Sequence, residues 1–198
     1  MGGASRARPL RADARANYER LLTQARLAFA EHGTGASLEE IARRAGVGTG
    51  TFYRHFPSRD ALLQAVLHDR FERLRARADA LAATTEPDVA LTVWLREFVE
   101  FTGAYRGLTA ALLQTLHDPS TELHAACVAV RAAGATLLTG AQQVGAIRSD
   151  LAAPELFALV SGLSWACEQS TGTVDVDLHV DRLLTLTLDG LRAGGTVR

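Results

Sequence analysis

The hydrophobic positions of this chain recur every three or four residues, which is the spacing of one buried face of an α-helix. The first such run predicts a helix over about residues 17–32, ended by Gly33, with an inner face of Tyr18, Leu21, Leu22, Ala25 and Phe29. A long helix is predicted after Ser58, which would be its N-cap. Its inner face would carry Leu62, Leu63, Val66, Leu67, Phe71 and Leu74.

The helical pattern continues beyond residue 80 and predicts five more helices, over about residues 87–104, 106–117, 119–144, 154–171 and 177–193. Pro119 and Pro154 would stand in the first turns of two of them, where a missing backbone N–H is tolerated. The segment "TVDVDLHV" alternates like a strand, but a lone strand would have no partner, so we assign it to a loop followed by a helix. The expected fold class is all-α.

Two short helices lie between these runs, in the stretch "SLEEIARRAGVGTGTFYRHF" from Ser37 to Phe56. Ser37 and Glu40 match a capping box, in which each side chain satisfies a backbone N–H near the other residue. Gly46 would end this helix, because glycine tolerates the left-handed conformation of a helix terminus. A third helix is then predicted to run to about Phe56, before Pro57.

The third helix has one apolar side and one polar face. At about 100° per residue, Phe52 and Phe56 fall together and would pack on the preceding helix. The opposite face and its edges carry small and polar residues: Thr49, Gly50, Thr51, Tyr53, Arg54 and His55. Two short helices with a glycine-containing turn and such a face are typical of a helix-turn-helix that enters the DNA major groove. The alternative is an ordinary helical hairpin with a polar outer face.

The net charge of −1 conceals a division along the chain. Residues 1–77 contain 14 Arg and 8 acidic residues, a net charge of +6, whereas residues 78–198 contain 7 Arg and 14 acidic residues, a net charge of −7. We predict that residues 1–16 form a flexible basic arm, with Arg6, Arg8, Arg11 and Arg15. A basic front half favours contact with a polyanion and so supports DNA binding.

The sequence carries few signs of catalysis, metal binding or a membrane. Its two cysteines, Cys127 and Cys167, have no Cys or His at metal-site spacing, and no phosphate-binding loop or H-E-x-x-H motif occurs. We therefore expect no cofactor, no metal and no enzyme activity. No apolar run approaches the ~20 residues that span a bilayer, and no signal-peptide pattern is present. We expect a cytoplasmic protein without a membrane partner.

The stretch "SLEEIARRAGVGTGTFYRHFPSRDALLQAV" resembles the N-terminal signature of the TetR family of bacterial transcriptional regulators. The resemblance covers about residues 17–67 and includes A-G-V, G-T-F-Y-x-H-F and S-R-D-x-L-L in order. It implies an all-helical homodimer, with a DNA-binding domain at 17–60 and an effector-binding and dimerisation domain at 61–198. It also implies a regulator, most often a repressor, that binds an inverted repeat in double-stranded DNA and leaves it when a small-molecule effector binds.

By position, the resemblance assigns Thr51 to base or phosphate contact, and Tyr53 and His55 to phosphate contact. Arg59 stands where the family usually has Lys. Gly48 replaces the family's usual capping residue, so the third helix is expected to begin less firmly. The predicted DNA-binding residues are Ser37, Arg43, Arg44, Thr49, Gly50, Thr51, Tyr53, Arg54, His55 and Arg59.

The C-terminal half offers a candidate effector pocket. Four aromatic residues form one helical stripe that suits either core packing or a pocket wall: Trp94, Phe98, Phe101 and Tyr105. Polar or aromatic side chains on otherwise apolar helices add Gln114, His117, His124, Trp165 and Gln169. A mostly apolar pocket with a few polar anchors suits a small-molecule effector.

The last two predicted helices have apolar faces that are candidates for a dimer interface. These faces carry Leu156, Leu159, Val160 and Leu163, and then Leu183, Leu184, Leu186, Leu188 and Leu191. Three other interpretations stay open. His124 lies three residues before Cys127, and Glu168 adjoins Cys167, so a thiol-sensing regulator or a helical thiol hydrolase could be built here. A helical protein-binding module is the third.

Overall fold

A computed structural model describes the backbone of residues 7–169 and 176–193, and the side chains of residues 13–169 and 180–193. This part of the chain folds into the helices α1 (Ala7–His32), α2 (Leu38–Arg44), α3 (Thr49–His55), α4 (Arg59–Thr84), α5 (Pro87–Thr102), α6 (Leu108–Thr115), α7 (Glu122–Gln143), α8 (Ala153–Gln169) and α9 (Val176–Leu191). Within these ranges, strand-type pairing is limited to an isolated antiparallel bridge between Ile147 and Arg192. The predicted all-α fold is confirmed.

Two helix starts differ from the predictions. α1 begins at Ala7, so residues 7–16 of the predicted arm are helical, and residues 1–6 lie outside the described residues. The segment from Ala7 lacks an apolar stripe but is rich in Ala and Arg, which have high helix propensity. α7 begins at Glu122, not Pro119, because Thr121 Oγ1 accepts the His124 N–H at 3.0 Å and caps the helix there.

α1, α2 and α3 enclose a small core of their own. Its buried side chains include Leu21, Ala25, Phe29, Ile41, Phe52 and Phe56. The rings of Phe52 and Phe56 lie 5.8 Å apart, and Tyr18 stacks on Phe56 at 5.2 Å. The predicted apolar side of the third helix is therefore confirmed, and the opposite side of α3 is left facing outward.

α4 connects this small core to a larger one formed with α5, α7 and α8. Trp94 lies at the centre of the larger core, stacked on Phe98 at 5.5 Å, with its indole N–H donating to the Leu74 carbonyl at 2.8 Å. A Cβ at Gly134 of α7 would lie 2.5 Å from this indole. Glycine therefore allows α7 to approach α5 closely.

α7 is the one described helix that is long and apolar enough to cross a membrane, with a mean hydropathy of 1.3 over its best window. In this fold it packs against α4, α5, α6 and α8. Its buried residues include Leu123, Val130, Leu137 and Leu138. About 33% of its apolar window is buried in this way.

Candidate DNA-binding surface and effector cavity

The α2–α3 hairpin is held by contacts within the two helices and their turn. Ser37 Oγ accepts the Glu40 N–H at 3.2 Å, which caps α2. Gly46 has a φ of +66°, the left-handed region that glycine adopts without strain. The Glu40 carboxylate does not turn back to complete the predicted capping box, because it accepts from Arg43 and Arg44 at 2.7 and 2.9 Å.

The outward face of α3 is built as the sequence predicted. Gly48 is the N-cap residue of α3 and makes no side-chain capping bond. Phe52 and Phe56 anchor the other side and are 0% and 2% exposed. The outward side chains range from half-buried to exposed: Thr49, Gly50, Thr51, Tyr53, Arg54 and His55.

Three polar side chains of this face are already hydrogen-bonded within the protein. The Tyr53 hydroxyl donates to Glu39 at 3.0 Å, and Arg54 donates to the Thr51 hydroxyl at 2.8 Å. Bonds from its own backbone N–H, from Ser37 and from Tyr53 hold the pKa of Glu39 below its usual value. Glu39 was not among the predicted residues, because only the folded hairpin brings it to Tyr53.

Arg43 and Arg44 differ in how available they are. Their guanidinium groups lower the pKa of Glu40 to about 2. Arg44 also donates to Glu31 of α1 at 2.7 Å, and its side chain is 29% exposed. The side chain of Arg43 is 74% exposed. Arg44 therefore joins α2 to α1, whereas Arg43 remains accessible at the surface.

Arg59, at the start of α4, points into the protein. Its guanidinium donates to the carbonyl oxygens of Thr34 and Ala36 at 2.6 and 2.7 Å. Those carbonyls belong to the loop between α1 and α2, which has no helical bonds of its own to satisfy them. The structure thus gives Arg59 a role in fixing this loop.

A cavity lies between α4, α5, α6, α7 and α8. Its wall is mainly apolar and includes Phe71, Phe98, Phe101, Leu112, Cys127 and Val130. Four polar residues interrupt this wall: Thr102, Thr109, Arg131 and Ser161. Water centres can reach about 30 Å³ of it, which is room for about two water molecules. A mainly apolar lining with a few polar groups is typical of small-molecule sites, but the space in this structure is too small for such a ligand.

Of the predicted pocket residues, Phe98 and Phe101 line this cavity. The others lie elsewhere for identifiable reasons. Trp94 is fully buried in the core. The ring of Tyr105 packs on the ring of Phe29 of α1, with their centroids 5.9 Å apart. His124 Nδ1 donates to the Thr115 carbonyl oxygen at 3.1 Å. The remaining four are exposed at the surface: Gln114, His117, Trp165 and Gln169.

Sequence reasoning missed the polar residues that do line the cavity. Arg131 and Ser161 stand on apolar helices, α7 and α8, and that was the available signal. Thr102 and Thr109 flank the α5–α6 connection, and their sequence positions gave a weaker signal of a pocket. Periodicity cannot choose among such residues, because the direction a polar side chain faces depends on how its helix is rotated in the bundle.

The two cysteines are buried and free. Burial raises the pKa of Cys127 to about 11 and also raises the pKa of Cys167. Both shifts oppose formation of the thiolate, which is the reactive form in sensors and hydrolases. Among the described residues, no group of three His, Cys, Asp or Glu side chains is arranged to hold a metal ion.

Comparison with known proteins gives matches over both parts of the chain. The family model described as bacterial regulatory proteins, tetR family, matches residues 21–66. A second model, described as transcriptional regulator SbtR-like, C-terminal domain, matches residues 86–193. The curated regulator UidR of Escherichia coli is 36% identical over 69 residues, which cover 34% of this chain and 35% of UidR. This chain thus matches about a third of that relative's length.

Solved structures match over most of the chain. The TetR transcriptional regulator SCO0520 of Streptomyces coelicolor is 34% identical, with 89% of this chain and 98% of that chain covered and a TM-score of 0.60. The TetR-family repressor FadR of Thermus thermophilus, solved with lauroyl-CoA, is 25% identical, with 91% and 95% covered and a TM-score of 0.61.

The two models follow each other in the order of the fold, the first on the helix-turn-helix and the second on α5 to α9. The second alone spans more than half of the chain. The all-α architecture agrees with both. This protein therefore belongs to the TetR family of bacterial transcriptional regulators.

Proposed function

We propose that this protein is a repressor that binds an inverted-repeat operator as a homodimer and releases it when a small molecule enters the cavity. The observation that carries the proposal is α3, which is anchored by Phe52 and Phe56 and presents a small, polar face outward. In this proposal residues 17–60 bind DNA, and residues 61–198 bind the effector and form the dimer. The protein acts in the cytoplasm, where the DNA lies.

The contacts divide the predicted DNA-binding residues into two groups. Thr49, Gly50, Thr51 and Arg54 occupy the outward face and would meet base edges or phosphates, while Tyr53 and His55 would meet phosphates at its edges. Ser37 and Arg43 lie on α2 beside this face. Arg44 and Arg59 act indirectly, because their guanidinium groups already bind groups of the protein.

The proposed dimer interface lies on α8 and α9. Four residues of the predicted faces are buried within the subunit: Leu156, Val160, Leu184 and Leu188. These four residues pack in the core of their own subunit, so the proposed interface consists of the more exposed residues of the two faces. Leu159 and Leu186 are 47% and 57% exposed, and Leu163, Leu183 and Leu191 are half-buried. Exposed leucines on two neighbouring helices are typical of a self-complementary two-fold interface.

The repressor proposal is tested with the full-length protein and DNA from the region upstream of its own gene. Fluorescence anisotropy should show salt-dependent binding to a fragment with an inverted repeat, and light scattering should show a dimer. Leu159→Glu with Leu186→Glu should give monomers and weaken operator binding, because one reading helix cannot hold two half-sites.

Val128→Glu is the matched control for these leucine variants, because Val128 is also 47% exposed but lies on α7. It should leave both the dimer and operator binding intact. A monomeric wild-type protein, or full operator affinity in the double variant, would contradict the proposal.

A further inference from the structure

The four polar residues of the cavity differ in whether they form hydrogen bonds within the protein. The Thr102 hydroxyl donates to the Val99 carbonyl at 3.1 Å and contacts Ser164 Oγ at 3.1 Å. The Thr109 hydroxyl donates to Glu168 at 2.7 Å. Arg131 and Ser161, in contrast, make no hydrogen bond or ion pair to any residue in the described part of the chain. The residues that line the cavity therefore include an arginine and a serine whose polar groups have no hydrogen-bond partner among the described residues.

Arg131 is held in a poorly solvated position. Its guanidinium carbon lies 4.7 Å above the centre of the Phe157 ring. Burial lowers the pKa of Arg131, and the residue is half-buried. No acidic side chain in the described ranges lies within salt-bridge distance. Arg77, in contrast, pairs with Glu97 at 2.9 Å.

A partly desolvated cation without a counter-charge is an unfavourable arrangement unless a bound anion completes it. The guanidinium fork matches a carboxylate, which can accept two parallel hydrogen bonds from it. Ser161 Oγ can donate a third. From Arg131 and Ser161 in an otherwise apolar cavity, we propose that the effector is a small amphipathic acid whose carboxylate is bound by Arg131; this inference rests on the proposed function.

The rest of the cavity restricts the body of this acid. The apolar part of the cavity wall includes the rings of Phe71, Phe98 and Phe101, so the body of the acid is aromatic or aliphatic. Glu168 holds Thr109 at another part of the wall, and its negative charge disfavours the carboxylate there. The reachable space of about 30 Å³ is far smaller than such an acid. Binding must therefore widen the cavity, which links occupancy to the positions of α4 through α8.

The inference is tested by calorimetry on the full-length protein without DNA, with benzoate and octanoate compared with their neutral amides. In the wild-type protein at least one acid should bind roughly tenfold or more tightly than its amide, because the charge-assisted hydrogen bonds are lost with the charge. Arg131→Gln should remove this preference. Arg131→Lys should keep part of it, since the charge remains and the fork is lost.

Arg70→Gln is the matched control, because the Arg70 guanidinium also lies over an aromatic ring, Phe101, at 5.6 Å, but on α4. It should retain the preference for acids. Thermal unfolding of each variant checks that it is folded. Equal binding of acids and amides, an unchanged preference in Arg131→Gln, or no binding by either acid would overturn the inference.

The two proposals fail in different ways. If an acid binds through Arg131 but never releases operator DNA, the proposed anion site is supported and the proposed release of the repressor by its effector is contradicted. If a neutral molecule releases the operator and acids do not bind, the proposed repressor function is supported and the proposal of an anionic effector is contradicted.

Discussion

The backbone N–H of Thr34 donates to the carbonyl oxygen of Arg106 at 2.9 Å. Thr34 belongs to the loop after α1, and Arg106 to the connection between α5 and α6, which borders the cavity helices. The Arg106 guanidinium also donates to the His32 carbonyl at 3.3 Å. The same α1–α2 loop is held from the other side by Arg59. The loop therefore joins the DNA-binding helices to the effector-binding helices.

We predict that Gly33→Ala weakens this junction. Gly33 has a φ of +74°, and a Cβ there would clash with the Arg106 carbonyl oxygen. The strain should lower the free energy of unfolding by about 1–3 kcal/mol, measured by chemical denaturation. Gly35→Ala, two residues away with open space around it, should change it by less than about 0.5 kcal/mol. Equal effects of the two variants would show that the contact does not matter.

We predict that Gly134→Ala destabilises the C-terminal core. The added Cβ would lie 2.5 Å from Trp94 and 2.8 Å from Phe157, and overpacking of this kind costs about 1–3 kcal/mol. Gly140→Ala in the same helix has its nearest neighbour at 3.8 Å. It should be neutral or stabilising by up to about 1 kcal/mol through helix propensity. Thermal unfolding of both variants makes the comparison, and a stabilised Gly134→Ala would contradict the close packing of α5 and α7.

We predict that Tyr53→Phe weakens binding to operator and to random DNA alike. The ring is retained, so melting temperature should change little. The hydroxyl donates to Glu39 in the free protein and would donate to a phosphate instead in the DNA complex, so its loss should weaken binding by about 0.5–1.5 kcal/mol. Affinity is measured by anisotropy on both DNAs. Glu39→Gln keeps an acceptor for Tyr53 while removing a negative charge beside the DNA, so it should not weaken binding. A loss confined to the operator would instead assign Tyr53 to base contact.

We predict that Arg54→Ala lowers affinity and flattens its salt dependence. One fewer phosphate contact should reduce the slope of log K against log salt by about 0.9. Arg75→Ala removes the same charge from α4, where Arg75 pairs with Glu72 at 3.0 Å, and it should leave the slope nearly unchanged. An unchanged slope in Arg54→Ala, with a sharply lowered melting temperature, would make Arg54 a structural residue.

We predict that Cys127 does not act as a thiol sensor. Its folded-state pKa of about 11 leaves only about one thiol in 10,000 ionised at pH 7. Alkylation of the native protein should therefore be slow at pH 7 and accelerate as the pH rises toward 11. Cys127→Ser and Cys167→Ser should retain operator binding, before and after mild peroxide. Loss of DNA binding on oxidation of wild type, prevented by either substitution, would restore the thiol-sensing interpretation.

The sequence was sufficient where the deciding interactions are local. Apolar spacing located the helices, and the pattern around Phe52 and Phe56 identified the buried side of α3, because side chains three and four residues apart share a helix face. It failed at the start of α1, where residues 7–16 have helix propensity but no apolar stripe. For the pocket, it named Phe98 and Phe101, which line the cavity, together with Gln114, His117 and Trp165, which are exposed in this structure.

By itself, then, the sequence determined an all-α fold, a helix-turn-helix and the polar face of α3, all of which follow from periodicity and caps within about twenty residues. Only the tertiary structure decided which charges remain free. It turned Arg59 onto the Thr34 carbonyl, brought Glu39 to Tyr53, and left Arg131 without a partner beside Phe157. The reason is physical: a side chain's partner depends on the rotation and approach of helices that are distant in the chain, and no local pattern encodes that geometry.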